Sequence, residues 1–369
     1  MMTSDFREMD PGESPHILQA ETKTSPEADG PAPRVCRVKG RKKTLKENVV
    51  GKAGKTKIEA NKETAPHLKD VAPTKAVVRS RRKITFGVRK RKKKRKRASG
   101  DHHRANFAEK YWQLDKIGEG GFGSVFAGFR RADCLPVAIK HVEEKHLLEP
   151  VCLNGKNLPA EVAIMMKLAA EKNDSEGMSA PIELLEWYDL GNKVILVLER
   201  PFLSQDLHNY TVDHGPVPEC KARILMRQLV DAAIGLEKRQ IFHCDIKLEN
   251  ILIETGSCVP GVRLIDFGMS EIIEKDTVFT IFRGTEGHKP PEWYVNSCHK
   301  PAPSTVWQLG IVLFEMLQKE YFSTEDFLKN KLKMPKMSKD CTDFLQLCLR
   351  EDPALRSILT ELRLHQWLI

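Results

Sequence analysis

One stretch of the sequence decides the fold: it reads His243-Cys244-Asp245-Ile246-Lys247-Leu248-Glu249-Asn250, and Asp266-Phe267-Gly268 follows, with Asp266 sixteen residues after Asn250. Apolar runs surround both segments, so their polar residues are predicted to lie on short loops at the ends of buried strands. A carboxylate there lies at the edge of a core, where oxygen ligands can hold a hard cation such as Mg²⁺. Asp266 and Asn250 are therefore candidate metal ligands, Asp245 is a candidate proton acceptor and Lys247 is a candidate partner for a phosphate.

Charge is divided unequally along the chain. Residues 1–100 contain 28 lysines and arginines against 11 aspartates and glutamates, a net charge of +17, whereas the remaining residues contain 32 against 39, a net charge of −7. A basic tail suits acidic partners, and a mildly acidic body suits basic ones.

The cysteines and the apolar runs exclude several classes of protein. The nine cysteines include no C-x-x-C pair, which argues against a disulfide framework or a zinc site and favours a reducing compartment. No run of about eighteen apolar residues occurs, so we expect no membrane span. The first ten residues are polar and acidic, unlike a secretory signal.

Residues 1–105 are predicted to form a disordered basic tail. Only two aromatic residues, Phe6 and Phe86, precede Phe107, so the segment cannot bury enough apolar surface to offset its ordering entropy. Residues 89–97 are nine consecutive basic residues. They suit a nuclear localisation signal bound by an import receptor, a non-specific polyanion-binding patch, or a solvated charge run. We expect a protein of the nucleus and cytoplasm; without interleaved aromatics, sequence-specific nucleic-acid binding is not expected.

A glycine-rich stretch, Gly118-Glu119-Gly120-Gly121-Phe122-Gly123-Ser124-Val125, opens the body of the chain. A G-x-G-x-x-G run begins a helix in a dinucleotide-binding fold, but here β-branched and aromatic residues follow and predict a second strand. A glycine hairpin between strands lets backbone amides approach a triphosphate. The alternative is an ordinary glycine turn.

Two predicted ion pairs connect distant parts of the body. Val137-Ala138-Ile139-Lys140 is a predicted strand, and its buried ammonium requires a partner. The candidate is Glu161 on an amphipathic helix after Pro159, although a surface glutamate is the alternative. Glu292 is similarly a candidate partner of Arg356.

After Glu199-Arg200-Pro201 the pattern changes from strand to helix, which predicts a hinge between a β-rich lobe at about 107–199 and a helical lobe at about 202–369.

These motifs agree in type, order and spacing, and residues 106–369 resemble a protein kinase catalytic domain. The resemblance implies an α+β, bilobal fold. Lys247, two residues after Asp245, is the serine/threonine form of the loop. The finer similarity is to the Pim family of serine/threonine kinases and is carried by Leu135-Pro136-Val137-Ala138-Ile139-Lys140-His141-Val142-Glu143, Leu198-Glu199-Arg200-Pro201, Gln205-Asp206-Leu207, Lys275-Asp276-Thr277-Val278-Phe279-Thr280, Pro290-Pro291-Glu292-Trp293 and Val306-Trp307-Gln308-Leu309-Gly310.

The resemblance implies transfer of the ATP γ-phosphate, with Mg²⁺, to serine or threonine in basic proteins. Asp245, Lys247 and Lys140 would be catalytic, and Asn250 and Asp266 would hold the metal. Peptide binding would involve Asp206, Glu249 and Thr285. The nucleotide-binding set is Ile117, Gly118, Gly120, Gly123, Val125, Ala138, Lys140, Glu199 and Asp206. Pro201 stands where most kinases offer an N–H to adenine, and proline has none.

Three departures bear on regulation and specificity. Cys244 replaces the arginine that normally pairs with an activation-loop phosphate, so we expect activity without phosphorylation of Thr277 or Thr280. Leu248 and Asn209 stand where the resemblance implies acids. Thr305, where most kinases have Asp, is instead part of the similarity to the Pim family.

Two alternatives to an active kinase remain open. One is a pseudokinase scaffold that binds nucleotide with little turnover, and the other is a nucleic-acid-binding protein that acts through its tail. Nothing in the sequence calls for an obligate partner, so we expect a monomer.

Overall fold

The computed structural model describes residues 100–121, 123–170 and 180–369. The predictions for residues 1–99, including the basic run at 89–97, lie outside these ranges. Residues 100–105, which the sequence placed in the disordered tail, are instead part of a helix, α1, at residues 100–110. The ring of Phe107 stacks on Tyr111 at 5.9 Å and meets Tyr188 edge-on at 5.5 Å. This aromatic contact holds α1 against the β-rich lobe, so the folded body begins before residue 106.

The N-terminal lobe is built on a five-stranded antiparallel sheet in the order β1-β2-β3-β7-β6. Successive side chains of a strand point to opposite faces. In β3, Val137 and Ile139 pack in the cluster that includes Tyr111 and Tyr188, whereas Lys140 lies on the other face, towards the cleft. The strands are β1 (Tyr111–Gly120), β2 (Gly123–Arg130), β3 (Pro136–Glu143), β6 (Leu184–Asp189) and β7 (Lys193–Glu199).

A short hairpin, β4 (Val151–Leu153) and β5 (Lys156–Leu158), leads into helix α2 (Ala160–Ala170). Glu161 lies in the first turn of α2 and is buried with the apolar residues that follow it. Because α2 packs against the sheet at β6, its first turn is held close to the inner face of β3.

The C-terminal lobe is helical and is organised around α6. Trp307 and Phe314 of this helix are fully buried. Helix α6 begins at Pro301, because proline fits the first helical turn. The helices are α3 (Leu207–His214), α4 (Glu219–Lys238), α5 (Pro291–Asn296), α6 (Pro301–Leu317), α7 (Thr324–Leu328), α8 (Lys339–Cys348) and α9 (Leu359–Arg363).

Five short strands place the functional loops. The strands β8 (Ser204–Asp206), β10 (Ile251–Glu254) and β11 (Gly261–Leu264) form one small sheet, and β9 (Ile241–Phe242) pairs with β12 (Glu271–Ile272). Ile251 pairs with Leu264 in antiparallel β10 and β11, so Asn250 and Asp266 lie at the same edge.

This arrangement confirms the predicted α+β, bilobal fold. No helix in the described ranges has the length and apolarity that crossing a membrane requires.

Candidate active site

Lys140 lies between two carboxylates in the cleft between the lobes. Its Nζ is 2.6 Å from Oε1 of Glu161 on α2 and 2.7 Å from Oδ1 of Asp266. Lys140 and Glu161 are only 5% and 8% exposed, so both charges require a partner. One ammonium group therefore connects β3, α2 and the segment that follows β11.

The charges of this cluster are fixed by its burial and its pairing. Burial disfavours the ammonium of Lys140, but Glu161 and Asp266 outweigh it and raise the pKa of the lysine. Burial also disfavours ionised Asp266, yet Lys140 and the N–H of Gly268, 3.1 Å from Oδ1, hold the pKa of this carboxyl below its ordinary value. Burial raises the pKa of Glu161, whose cationic partner is shared. Lys140 and Asp266 are thus charged at neutral pH, as binding to a phosphate and to a cation requires.

Four donor groups converge on the carboxylate of Asp245. Oδ1 accepts from the N–H and the hydroxyl of Thr285 at 2.8 and 2.7 Å. Oδ2 is 2.9 Å from Nζ of Lys247 and accepts from Nδ2 of Asn250 at 3.1 Å. The hydroxyl of Thr285 also accepts from Lys247 at 2.9 Å. Because a carboxylate has about four acceptor positions, this network fixes the orientation of Asp245.

Asn250 and Asp266 keep oxygen atoms that can bind a cation. Asn250 uses Nδ2 to donate to the backbone and side chain of Asp245, which leaves its Oδ1. Asp266 uses Oδ1 for Lys140 and Gly268, which leaves Oδ2. Within the described ranges no group of three or more His, Cys, Asp or Glu side chains can hold an ion unaided. The two oxygen donors fit Mg²⁺, which proteins often bind through one or two side chains together with substrate phosphates.

His243 ties the catalytic loop, residues 243–250, to the Asp-Phe-Gly segment. Its Nε2 donates to the carbonyl of Ile265 at 3.2 Å, and its ring lies 4.9 Å from that of Phe267. Burial lowers the pKa of His243, so the imidazole is neutral. The hydroxyl of Ser270 donates to the His243 carbonyl at 3.1 Å and joins the two segments a second time.

Comparison with known proteins identifies the family to which this arrangement belongs. The model of the protein kinase domain matches residues 111–368. The chain belongs to the protein kinase family. Its relatives include serine/threonine-protein kinase pim-2 of Danio rerio, 31% identical over 280 residues, with 74% of this chain and 88% of the relative covered. Serine/threonine-protein kinase prk-2 of Caenorhabditis elegans is 29% identical, with 71% and 59% covered. Testis-specific serine/threonine-protein kinase 3 of Homo sapiens is 29% identical, with 70% and 96% covered. By family, the chain is an ATP-dependent serine/threonine protein kinase.

The predicted nucleotide-binding residues of the kinase lie along β1, β2 and β3 and at the hinge. Gly118 pairs with Val125 and Gly120 with Gly123 in a hairpin, and Val125 pairs with Lys140. Gly123 has φ of +148°, and a Cβ there would lie 1.9 Å from the carbonyl oxygen of His141, so only glycine fits. Ile117 at the same hairpin is half exposed, and Ala138 is partly buried opposite Leu198.

The two acidic residues at the hinge are already engaged by the protein. The carboxylate of Glu199 accepts from the N–H of Glu183 at 3.1 Å and pairs with Arg263 at 3.2 Å. Asp206 caps α3, with Oδ1 accepting from the N–H of Asn209 at 2.8 Å and Oδ2 from its Nδ2 at 2.7 Å. Any ligand bound by Asp206 must therefore share its oxygens with the helix cap.

Cys244 is a neutral residue in a strained conformation. It is 2% exposed, its φ is +70°, and burial raises the pKa of its thiol. The thiol donates to the carbonyl of Phe242 at 3.6 Å. It therefore cannot bind a phosphate as the arginine of related kinases does.

The activation segment, residues 266–292, is held by an ion pair, by backbone hydrogen bonds and by packed aromatic rings. Arg283 forms an ion pair with Glu271. The backbone N–H of Phe279 donates to the carbonyl of His299 at 2.9 Å, and the backbone N–H of His299 donates to the carbonyl of Phe279 at 3.0 Å. The ring of His299 contacts four aromatic rings, which are those of Phe242, Phe279, Phe282 and Trp293.

Glu292 and Arg356 form a buried ion pair at the end of this segment. Nη1 of Arg356 donates to Oε1 of Glu292 at 2.9 Å, and Nη2 donates to Oε2. The remaining guanidinium donors bind the carbonyls of Arg350, Pro303 and Glu351. The pair ties the activation segment to the last helices of the lobe.

The peptide side of the cleft carries few free acids. Glu249 is exposed and forms no ion pair with any residue in the described ranges. Leu248 is buried at the edge of a cavity of about 190 Å³. The other residues that line the cavity are His208, Thr211, Val212, Glu315, Gln318, Lys319, Glu320 and Tyr321.

Sequence reasoning missed Gln308, which contacts the catalytic loop directly. Nε2 of Gln308 donates to the carbonyl of Cys244 at 2.6 Å, and Oε1 accepts from the N–H of Ile246 at 3.3 Å. The available signal was a single amide in the otherwise apolar run of α6, because a buried polar side chain requires a partner.

Proposed function

We propose that this kinase transfers the γ-phosphate of ATP to serine or threonine hydroxyls in basic proteins, without needing phosphorylation of its own activation segment. The observation that carries the proposal is the pair of assembled charge networks, one around Lys140 and one around Asp245.

Asp245 receives the acceptor hydroxyl of the substrate. Lys247, whose side chain is 22% exposed, moves from Oδ2 of Asp245 to the γ-phosphate and neutralises its charge. The hydroxyl then takes the vacated position on Oδ2 and gives up its proton there as its oxygen bonds to the γ-phosphorus. The bond from the γ-phosphorus to the bridging oxygen breaks, and ADP leaves. Thr285 and Asn250 keep the carboxylate in place throughout. Most of the rate enhancement comes from positioning and electrostatic stabilisation, because phosphoryl transfer requires little covalent help from the protein.

Lys140 binds the α- and β-phosphates while Glu161 holds its side chain in position. Asp266 and Asn250 would hold Mg²⁺, which when bound offsets the charge of the phosphate oxygens. Adenine is held by the carbonyl of Glu199 and by apolar contacts with Val125, Ala138 and Leu198, since Pro201 offers no N–H.

The preference for basic substrates rests on few acids. Glu249 lies two residues after Lys247 and is exposed, and Glu320 is exposed at the cavity beside Leu248. Leu248 and Asn209 add no charge. We therefore expect a preference for arginine-containing peptides that is weaker than the Pim resemblance implies, since each exposed ion pair contributes only about 0.2–1 kcal/mol.

Independence from activation-segment phosphorylation is supported by the contacts of that segment. The pair of Arg283 with Glu271 and the rings around His299 hold it, and the neutral thiol of Cys244 gives a phosphate nothing to bind. Phosphatase treatment is expected to leave turnover unchanged within about twofold, a difference of about 0.4 kcal/mol. Loss of turnover on dephosphorylation would contradict this part of the proposal.

The activity is tested by incorporation of labelled phosphate from ATP and Mg²⁺ into an arginine-rich serine peptide. The Asp266→Asn variant, which keeps its shape but loses its charge, is the control. We expect incorporation by the wild type and almost none by the variant. A wild type that binds nucleotide and incorporates no more phosphate than Asp266→Asn would instead be the pseudokinase scaffold.

The basic run at residues 89–97 lies outside the described ranges, and we propose it as a nuclear localisation signal on the strength of its nine consecutive basic residues. Replacement of residues 92–96 by alanine should move the protein from nucleus to cytoplasm in imaged cells. Unchanged nuclear entry would contradict the proposal and leave non-specific polyanion binding or a solvated charge run. Salt-dependent binding to DNA would distinguish these two.

A further inference from the structure

The peptide groups on either side of Asp245 are held by one side chain from another helix. Gln308 lies on α6 and is 4% exposed. Its carboxamide donates from Nε2 to the carbonyl of Cys244 at 2.6 Å and accepts at Oε1 from the N–H of Ile246 at 3.3 Å. The two bonds flank Asp245 in sequence, so they restrict the backbone that aims its carboxylate.

The backbone at this point requires such support. Cys244 has φ of +70°, a conformation that is unfavourable for a non-glycine residue and persists only where the surroundings impose it. The carbonyl of Cys244 is enclosed from a second side by Gly284, where an added Cβ would lie 2.7 Å from the Cys244 oxygen. Gln308 and Gly284 together fix the direction of this carbonyl, and with it the start of the peptide that leads into Asp245.

The chain offers no other side chain of α6 for this task. Thr305, one turn earlier, uses its hydroxyl to donate to the carbonyl of Pro301 within the same helix at 3.0 Å. Ser304 pairs with His299 at 2.8 Å. Among the described residues of α6, every side-chain hydrogen bond to the catalytic loop comes from Gln308.

We propose that Gln308 is a positioning residue for phosphoryl transfer, which sets the orientation of Asp245 by clamping the carbonyl of Cys244 and the N–H of Ile246. The inference rests on the proposed kinase activity. Gln308 touches neither substrate nor nucleotide, so its loss acts on the rate of the chemical step and leaves nucleotide affinity intact.

The chain contains a matched control for this clamp. Gln228 on α4 makes the same pair of bonds to a different backbone segment: Nε2 donates to the carbonyl of Pro260 at 2.8 Å, and Oε1 accepts from the N–H of Val262 at 3.1 Å. Gln308→Met and Gln228→Met therefore remove equivalent hydrogen bonds, but only the first touches the catalytic loop.

The two variants are compared by steady-state kinetics and by amide hydrogen exchange of residues 243–250. For Gln308→Met we expect kcat to fall about 10- to 100-fold, since a displacement of about 1 Å of a catalytic group can cost that much, while the KM for ATP stays within about twofold. The rate of amide hydrogen exchange in residues 243–250 should rise several-fold. Gln228→Met should keep the wild-type kcat and loop exchange.

Two results would overturn the inference. One is a kcat of Gln308→Met equal to that of Gln228→Met, whether both stay at the wild-type value or both fall, and the other is unchanged hydrogen exchange in residues 243–250. If Gln308→Met does not fold, Gln308→Asn, which keeps the amide but is too short to reach both peptide groups, is expected to show the same fall in kcat with unchanged KM for ATP. A wild type without turnover would defeat the proposed function instead, and the exchange experiment would still decide whether Gln308 orders the loop.

Discussion

The nucleotide side of the cleft and its peptide side use charge in different ways. On the nucleotide side, Lys140 and Glu161 are buried, Asp266 is partly buried, and the lysine pairs with both carboxylates within 2.7 Å. On the peptide side, Glu249 is exposed and unpaired among the described residues, Leu248 is apolar, and Asp206 is engaged by its helix cap.

This difference in burial explains why the nucleotide side keeps the charged residues that the kinase resemblance implies, whereas the peptide side lacks some of them. Removal of one member of a buried pair leaves an uncompensated charge and costs about 3–5 kcal/mol, so the nucleotide side cannot change one residue at a time. An exposed ion pair contributes at most about 1 kcal/mol, so acids on the peptide side can be lost singly. Catalysis and substrate choice are therefore maintained by interactions of different strength.

The largest effect is expected on the nucleotide side. Lys140→Met removes the ammonium that pairs with Glu161 and Asp266, and phosphotransfer should fall about 10²–10³-fold, the scale of losing one electrostatic donor in an active site. Steady-state turnover measures the loss. Thermal unfolding of the variant serves as control, because two buried carboxylates lose their partner. Wild-type turnover by folded Lys140→Met would contradict the assignment of the nucleotide side.

A smaller effect is expected where the two sides meet, at the activation segment. Glu271→Gln removes the charge that pairs with Arg283 while keeping the shape of the side chain. Turnover should fall by about 1.4-fold to fivefold, corresponding to the roughly 0.2–1 kcal/mol of a partly exposed ion pair. Thr280→Ala, at an exposed position of the same segment, is the control and should be unaffected. A larger loss in Thr280→Ala than in Glu271→Gln would show that a phosphate, and not the ion pair, holds the segment.

A gain of function is expected on the peptide side. Asn209→Asp places an acid at an exposed position of α3, where the family resemblance implies one. The ratio of kcat/KM for an arginine-rich peptide to that for a neutral peptide should rise about twofold to fivefold at low salt. The KM for ATP should not change. Glu249→Gln should shift the same ratio in the opposite direction, and a ratio that neither substitution changes would place the peptide elsewhere.

The last expected effect concerns stability and not catalysis. Burial, reinforced by Lys193, lowers the pKa of His141 to about 4 from the ordinary value of 6.5. Below pH 6.5 the unfolded chain therefore binds a proton that the folded chain does not. The contribution of His141 to stability is complete above pH 6.5 and is lost progressively as the pH falls towards 4.

Denaturant unfolding between pH 7 and pH 4 tests this titration. His141→Gln can keep the hydrogen bonds to Gln113 and Lys193 but cannot titrate. It should therefore show a shallower loss of stability over that range. Parallel curves for wild type and variant would show that His141 does not titrate as described.

The sequence predicted the parts of the fold and site that local patterns encode. The strand that carries Lys140, the helix that carries Glu161 and the loops at Asp245 and Asp266 each have a recognisable period or motif, and the confirmed bilobal fold brings them together. At Gly118, the β-branched residues that follow the glycines predicted a hairpin between two strands and not a turn from a strand into a helix.

Long-range polar contacts could not be predicted in the same way. Gln308 binds residues more than sixty positions away, and no local period encodes that contact. Asp206 was predicted to bind nucleotide and peptide. Its carboxylate also caps α3, because the three residues after it form the first turn of that helix. Residues 100–105 have the composition of the tail, but they are helical through contacts such as that of Phe107 with Tyr188, a residue eighty positions away.

The most direct test of the account is a single-turnover assay of phosphatase-treated protein that carries Thr277→Ala and Thr280→Ala, compared with the same protein carrying Asp245→Asn. The account predicts transfer of labelled phosphate to a serine peptide at a rate within about threefold of untreated wild type. It also predicts a rate about 10²–10⁴-fold lower when Asp245 is replaced, as for loss of a general base. Transfer that disappears on removal of the phosphates, or that persists without the Asp245 carboxylate, would contradict it.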